Sequence, residues 1–198
     1  MELSPSALSR SNHTIAVAMV LHGLLWAAPS NAGAAAGAAA APAREYEIKA
    51  AFLYNFTKFV DWPAQTFAND DAPIVIGVLG DSPCVQALER LIKDRKVNGR
   101  TIVVRRIASA AEAKVTQLLF VGSAQEAQFA GLEPAIESLP VLTVGESPGF
   151  ATLGGAIDLL PQGDKIRFEI NIDVAEHAGL KISAQLQKLA TVVHRRSP

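Results

Sequence analysis

Only one cysteine occurs in the 198 residues, Cys84, so no intrachain disulfide can form, and no Cys/His spacing fits a structural zinc site. Charge of one sign is lacking too. With 18 Lys+Arg against 19 Asp+Glu, the formal net charge is −1, which removes the strongest electrostatic case for nucleic acid. No uninterrupted apolar run reaches the ~20 residues that a spanning helix needs. No Gly-x-Ser-x-Gly elbow occurs, and no Gly-Lys-Ser/Thr closes a phosphate loop. No internal repeat is visible. What remains is a chain that is 49% hydrophobic and 19% charged, a globular rather than a disordered composition. Its stability must come from packing, within a length that allows one domain.

Residues 14–28 (TIAVAMVLHGLLWAA) form an apolar stretch preceded by Arg10 and followed by Pro29-Ser30-Asn31-Ala32. That length, with small residues at Ser30 and Ala32, reads as a signal peptide over residues 1–32. An Ala/Gly/Pro-rich spacer is expected over 33–43, where Gly33, Gly37 and Pro42 interrupt any helix that the alanines favour. A single α/β domain is expected over 44–194. Removing residues 1–32 takes away Glu2 and Arg10, one charge of each sign, so the mature balance is unchanged.

Aromatic residues are scarce, at 6%, yet Tyr46, Phe52, Tyr54, Phe56, Phe59 and Trp62 crowd into one segment. Residues 45–62 carry apolar side chains at helical spacing, so this is predicted to be a core helix, ended by Pro63. Four short apolar runs follow, at 74–79 (IVIGVL), 101–104 (TIVV), 117–121 (QLLFV) and 141–144 (VLTV). Such runs belong to strands covered on both faces. Helical segments at 83–93, 110–115 and 124–138 alternate with them, which specifies a mostly parallel sheet with right-handed crossovers. Beyond Gly155, residues 156–160 and 165–172 flank the turn sequence Pro161-Gln162-Gly163-Asp164 and read as an antiparallel hairpin. In its second strand Ile166, Phe168, Ile170 and Ile172 face the core, while Lys165, Arg167, Glu169 and Asn171 face water. Asp173 is placed as the cap of a short helix ended by Gly179, and 182–193 as a final amphipathic segment. The predicted fold is a three-layer α/β/α sandwich with a mostly parallel sheet and a C-terminal antiparallel hairpin.

Reactive chemistry finds little support in this pattern. Gly77-Val78-Leu79-Gly80-Asp81-Ser82 follows the first strand, but it lacks the third glycine of a dinucleotide fingerprint and reads as a capped turn. Gly154-Gly155 reads as a sharp bend. Cys84, Ser82 and Ser123 are the nucleophile candidates, with only His177 and His194 as bases in the mature chain. Neither histidine has a metal partner at ligand spacing.

Three segments carry a resemblance. The first is residues 48–63 (IKAAFLYNFTKFVDWP), followed by 76–80 (IGVLG). The second is 141–144 (VLTV) with Gly149-Phe150 and Gly154-Gly155-Ala156-Ile157. The third is 166–171 (IRFEIN) with 178–183 (AGLKIS), Leu186 and Leu189-Ala190. In order and spacing the chain resembles the YfiR-like family of exported bacterial regulators. That resemblance implies a non-catalytic periplasmic repressor without cofactor, metal or nucleic acid. Its implied partner is the periplasmic sensor region of an inner-membrane diguanylate cyclase, whose cyclic di-GMP synthesis it represses. An outer-membrane lipoprotein that sequesters the repressor, and a second copy in a homodimer, are further partners left open. Some relatives carry cysteine pairs, whereas Cys84 stands alone here. Arg167, Glu169 and Asn171, which match the family motif and face away from the predicted core, are the candidate partner-binding residues. The alternatives are a periplasmic small-ligand-binding module feeding a sensor or transporter and, third, a hydrolase or transferase.

Overall fold

The computed structural model describes the backbone of residues 32–163 and 165–194, with side chains from residue 43. The expected leader, apart from Ala32, lies outside the described residues, as does Asp164. Helix α1 (Ala32–Phe59) leads into β1 (Val60–Asp61), β2 (Ile74–Leu79) and α2 (Cys84–Ile92). Next come β3 (Lys96–Val97), β4 (Arg100–Ile107), α3 (Ala110–Ala113), β5 (Leu118–Val121), α4 (Glu126–Leu132) and β6 (Leu142–Gly145). The chain closes with β7 (Ile157–Gln162), β8 (Lys165–Asn171), α5 (Ile172–His177), β9 (Lys181–Ile182), α6 (Ala184–Leu189) and β10 (Val192–His194).

Eight strands form one sheet in the order β10-β8-β7-β6-β5-β2-β4-β3. From β4 through β7 the pairs are parallel; β7–β8 and β3–β4 are antiparallel, and β10 returns parallel to β8. Every residue of β2, β5 and β6 is buried, as apolar runs in the middle of a sheet require. One face packs with α1, α2, α5 and α6 in the larger apolar cluster, where Phe168 meets Phe52 and Phe56 edge-on at 5.7 and 5.4 Å. The other face is covered by α3, α4 and the turn Phe150–Thr152 through Leu119, Val121, Phe129 and Phe150. The expected α/β fold with a mostly parallel sheet and a C-terminal hairpin is therefore present.

Several boundaries differ from expectation. Helix α1 ends at Phe59, three residues early, because Val60 and Asp61 pair antiparallel with Ile182 and Lys181. At its start the backbone is helical through the Ala/Gly tract expected as a spacer, Gly33, Gly37 and Pro42 included. Strand β4 runs to Ile107 rather than Val104, since Arg105 and Arg106 are exposed yet stay in register with β2. The small strand β3 was not anticipated; Asn98 and Gly99, at φ 51° and 82°, turn it back onto β4. Segment 124–138 yields only seven α-helical residues flanked by 3-10 turns, with Pro134 interrupting. Asn171, not Asp173, caps α5. The final amphipathic segment splits into β9, α6 and β10, so β8 is not an edge strand.

Candidate functional site

Antiparallel pairing sets Asp158 opposite Glu169 and Leu160 opposite Arg167, and residues paired across a ladder project from the same face. Arg167, Glu169 and Asn171 thus share the face opposite Phe168. Lys165 and Arg167 are exposed; Glu169 and Asn171 are half-buried. Strand β10 lies alongside, and His194 Nε2 stands 3.1 Å from Glu169 Oε2. Beside this edge lies an open groove of about 820 Å³. One wall is Asn171, Asp173, Val174 and His177, with Val193 and His194 of β10; the other is Glu133, Glu137 and Gly154.

The three predicted contact residues differ in what their side chains already do. Asn171 is fully engaged: its Nδ2 donates to the Ala151 carbonyl at 2.7 Å, and its Oδ1 accepts from Val174 N–H at 3.1 Å. Glu169 holds His194. Arg167 reaches only Gln162 Oε1, at 3.4 Å, and its head group is in water.

Behind Glu169 sits a residue that sequence reading missed. Asp158 is completely buried; its Oδ2 accepts from the N–H groups of Gly149 and Phe150 at 2.9 and 3.1 Å, and its Oδ1 has no partner. Burial pushes its carboxyl up, the two N–H groups pull it down and the carboxylates of Glu169 and Glu126 push it up, for a net value of about 6. The signal was a lone acid inside an apolar strand, Ile157-Asp158-Leu159. On the facing wall burial raises Glu133, and the neighbouring charge of Glu137 raises it further.

Doubly wound sheets usually take ligands where the strand order reverses, outside the carboxyl ends of the strands. Here that place is between β2 and β5. The protein's own side chains fill it. A Cβ added at Gly80 or Gly122 would come within 2.8 Å of the Gln125 side chain. Buried Lys49 of α1 is held at 2.5 Å by both Glu146, just beyond β6, and Glu45. Burial pulls the Lys49 ammonium down, but hydrogen bonds to Glu146 and Glu45 outweigh it, and the net shift is upward. Glu146 also accepts the Ser123 N–H at 3.1 Å. Neighbouring Cys84 is fully buried, and burial, followed by the charge of Glu146, pushes its thiol up to about 12. It is no nucleophile at neutral pH.

The candidate serines are not brought to the histidines. Ser82 Oγ accepts the Cys84 N–H at 3.2 Å within the turn, while the N-cap position of α2 is taken by Pro83 and not by the expected Asp81 or Ser82. Ser123 follows β5, four strands from His194 on β10, about 19 Å at a strand spacing of ~4.8 Å. Among the described residues no group of three or more His, Cys, Asp or Glu is placed to hold a metal ion.

A family model described as YfiR/HmsC-like matches residues 46–191. No curated protein matches the sequence. Solved structures that match the chain include the ABC domain in complex with L-Trp from Streptococcus pneumonia, 13% identical with a TM-score of 0.44, the alignment covering 61% of this chain and 55% of that one. A conserved domain protein from Vibrio cholerae O1 biovar eltor is 14% identical with the same TM-score, at 61% and 54% coverage. This chain spans little more than half the length of either.

Proposed function

This chain belongs to the YfiR/HmsC-like family, and from that premise we propose that it is a non-catalytic periplasmic regulator of cyclic di-GMP signalling. It binds the periplasmic sensor region of an inner-membrane diguanylate cyclase and represses synthesis of the messenger; an outer-membrane lipoprotein that sequesters it relieves the repression. The observation that carries this reading is the family match, which covers nearly all of the described chain. Chemistry supports it from the other side. The ligand crevice of the sheet is filled by Gln125 and the Lys49–Glu146 pair, the one thiol is held protonated, and the serines stand apart from the histidines.

A protein of this kind acts only by preferring one state of its partner, and its effect is bounded by the difference in affinity. Moving a receptor from 1:99 to 99:1 takes about 5.5 kcal/mol of differential binding. Exposed Arg167 and half-buried Glu169, on the polar face of β8, are the contacts assigned to that task, with Asn171 shaping the groove between them and α5. Charge reversal at Glu169 is expected to derepress a co-expressed membrane cyclase, read as cellular cyclic di-GMP. The melt should move by no more than the loss of a half-exposed pair with His194, about 1 kcal/mol or less. Unaltered repression by Glu169→Lys would remove that residue from the contact surface, and a collapsed melt would make it structural.

One observation favours the second reading, a small-ligand module: the groove's volume of about 820 Å³ suits a small molecule. Its lining of carboxylates and imidazoles departs from the apolar walls such pockets usually have. A thermal-shift screen separates the two, since strong stabilisation by a metabolite supports the module and co-purification with a membrane sensor supports the regulator.

A further inference from the structure

The two edges of the eight-stranded sheet are built differently. At one edge, exposed Lys93, Asp94, Arg95 and Lys96 surround β3, the kind of charged guard that keeps other strands away. At the other edge, among the described residues, β10 itself carries no Lys, Arg, Asp or Glu. Val192 and Val193 are 40% and 39% exposed, and Leu189 just before them is 62% exposed. Val193 and His194 also line the groove, so the open edge and the cavity form one continuous surface. Across it stand Glu133 and Glu137, close enough that the charge of one raises the pKa of the other, and neither has an ion-pair partner among the described residues.

The geometry points to β10 as a docking edge that takes an extended segment of the membrane partner as a further strand, its valines covered by apolar residues and its Glu133–Glu137 wall met by Lys or Arg side chains. This rests on the regulatory reading above and names the kind of segment that the partner presents. Strand addition draws affinity from main-chain hydrogen bonds and specificity from alternate side chains. An acidic rim adds charge steering toward a basic segment. A second copy of this chain is the poorer occupant, because two-fold pairing through β10 would bring two acidic rims together, and like charges facing across an interface are costly.

The test uses a short synthetic peptide of alternating valine and lysine, with alternating valine and glutamate as control, added to the intact chain. Amide shifts and hydrogen exchange are followed by NMR. The lysine peptide should protect the amides of residues 192–194 about tenfold and shift Val193 and His194, while the glutamate peptide leaves them unmoved. Glu137→Lys and Val192→Asp, both at exposed positions, should each weaken the lysine peptide about tenfold with an unchanged melt. Equal binding of both peptides, or shifts centred away from β10, would overturn the inference. So would a dimer that Val192→Asp dissociates in sedimentation, which makes a second copy the occupant. Binding that appears only after residues 195–198 are deleted would assign the edge to the chain's own Arg195-Arg196. If the unaltered chain captures no membrane partner, the regulatory reading fails whatever the peptides show. If capture and repression survive both substitutions, the docking edge fails and the regulatory reading stands.

Discussion

At Asp158 a carboxyl group is kept in the interior by two backbone N–H groups and opposed by burial and by Glu169. Its native value of about 6 lies above the ordinary 3.8, so between those values the folded protein holds a proton that the unfolded chain has released. The stabilisation linked to this proton is complete below about pH 4 and is lost as pH rises through 6, a change on the order of 3 kcal/mol. Denaturant midpoints from pH 4 to 7 should therefore show a downward component that Asp158→Asn abolishes; an identical slope in the variant would refute the assignment. Glu169→Gln should lower the Asp158 value only in part, because burial and not Glu169 is the largest cause. Cys84 makes a simpler case. Its thiol should resist alkylation in the native protein and react only as the chain unfolds, so labelling that is fast in native buffer would contradict its burial. At Gly155 space is the constraint, since a Cβ there would press into the Phe150 ring and come within 2.8 Å of its carbonyl oxygen. Gly155→Ala should cost about 1–3 kcal/mol. The cost should shrink in a Phe150→Ala background, which a double-mutant cycle measures.

Among the elements, α5 shows how a residue chosen for its outward direction can serve inward. Asn171 ends β8, caps α5 through Val174 N–H and ties the Phe150–Thr152 turn through Ala151. Asn171→Ala should remove both bonds and cost about 1–2 kcal/mol in chemical denaturation. A binding defect without that loss would show that the side chain's work is at the interface. The sequence placed Asn171 on the polar face correctly but could not show that a helix begins one residue later. The strand core of 74–79 was legible because β2 is apolar at every position, and the Ile166–Phe168–Ile170 alternation was legible because one face of β8 is buried and the other is wet. The two-residue strands β1, β3 and β9 carry no periodicity of their own. Their pairing comes from distant partners, Val60 with Ile182 for instance, and no local pattern encodes that contact.

For the molecule as a whole, two apolar clusters on opposite faces of one sheet set a gradient of protection. Amides of β2, β5 and β6, buried on both faces, should exchange only on global unfolding, while those of β3 and β10 at the rims open first. Uniform exchange across the sheet would contradict that order. Of the candidate site, the strand bearing Arg167 and Glu169 was readable from composition and alternation alone. The groove was not, because its walls come from residues 133–137, 154, 171–177 and 193–194, which only the tertiary fold brings together. Asp158 was hidden for a related reason: one acid in an apolar run looks like a solvent-facing position until the turn that covers it is in place.

Strand β10 enters this architecture after every residue of both apolar clusters has been laid down, the last of them Ala190. On the regulatory reading proposed above, a premature stop codon just beyond that alanine should yield a polypeptide that keeps both clusters yet no longer silences a co-expressed cyclase. Alleles recovered in a selection for raised cellular cyclic di-GMP without loss of protein abundance should then include truncations within codons 191–194 beside substitutions at Arg167 and Glu169.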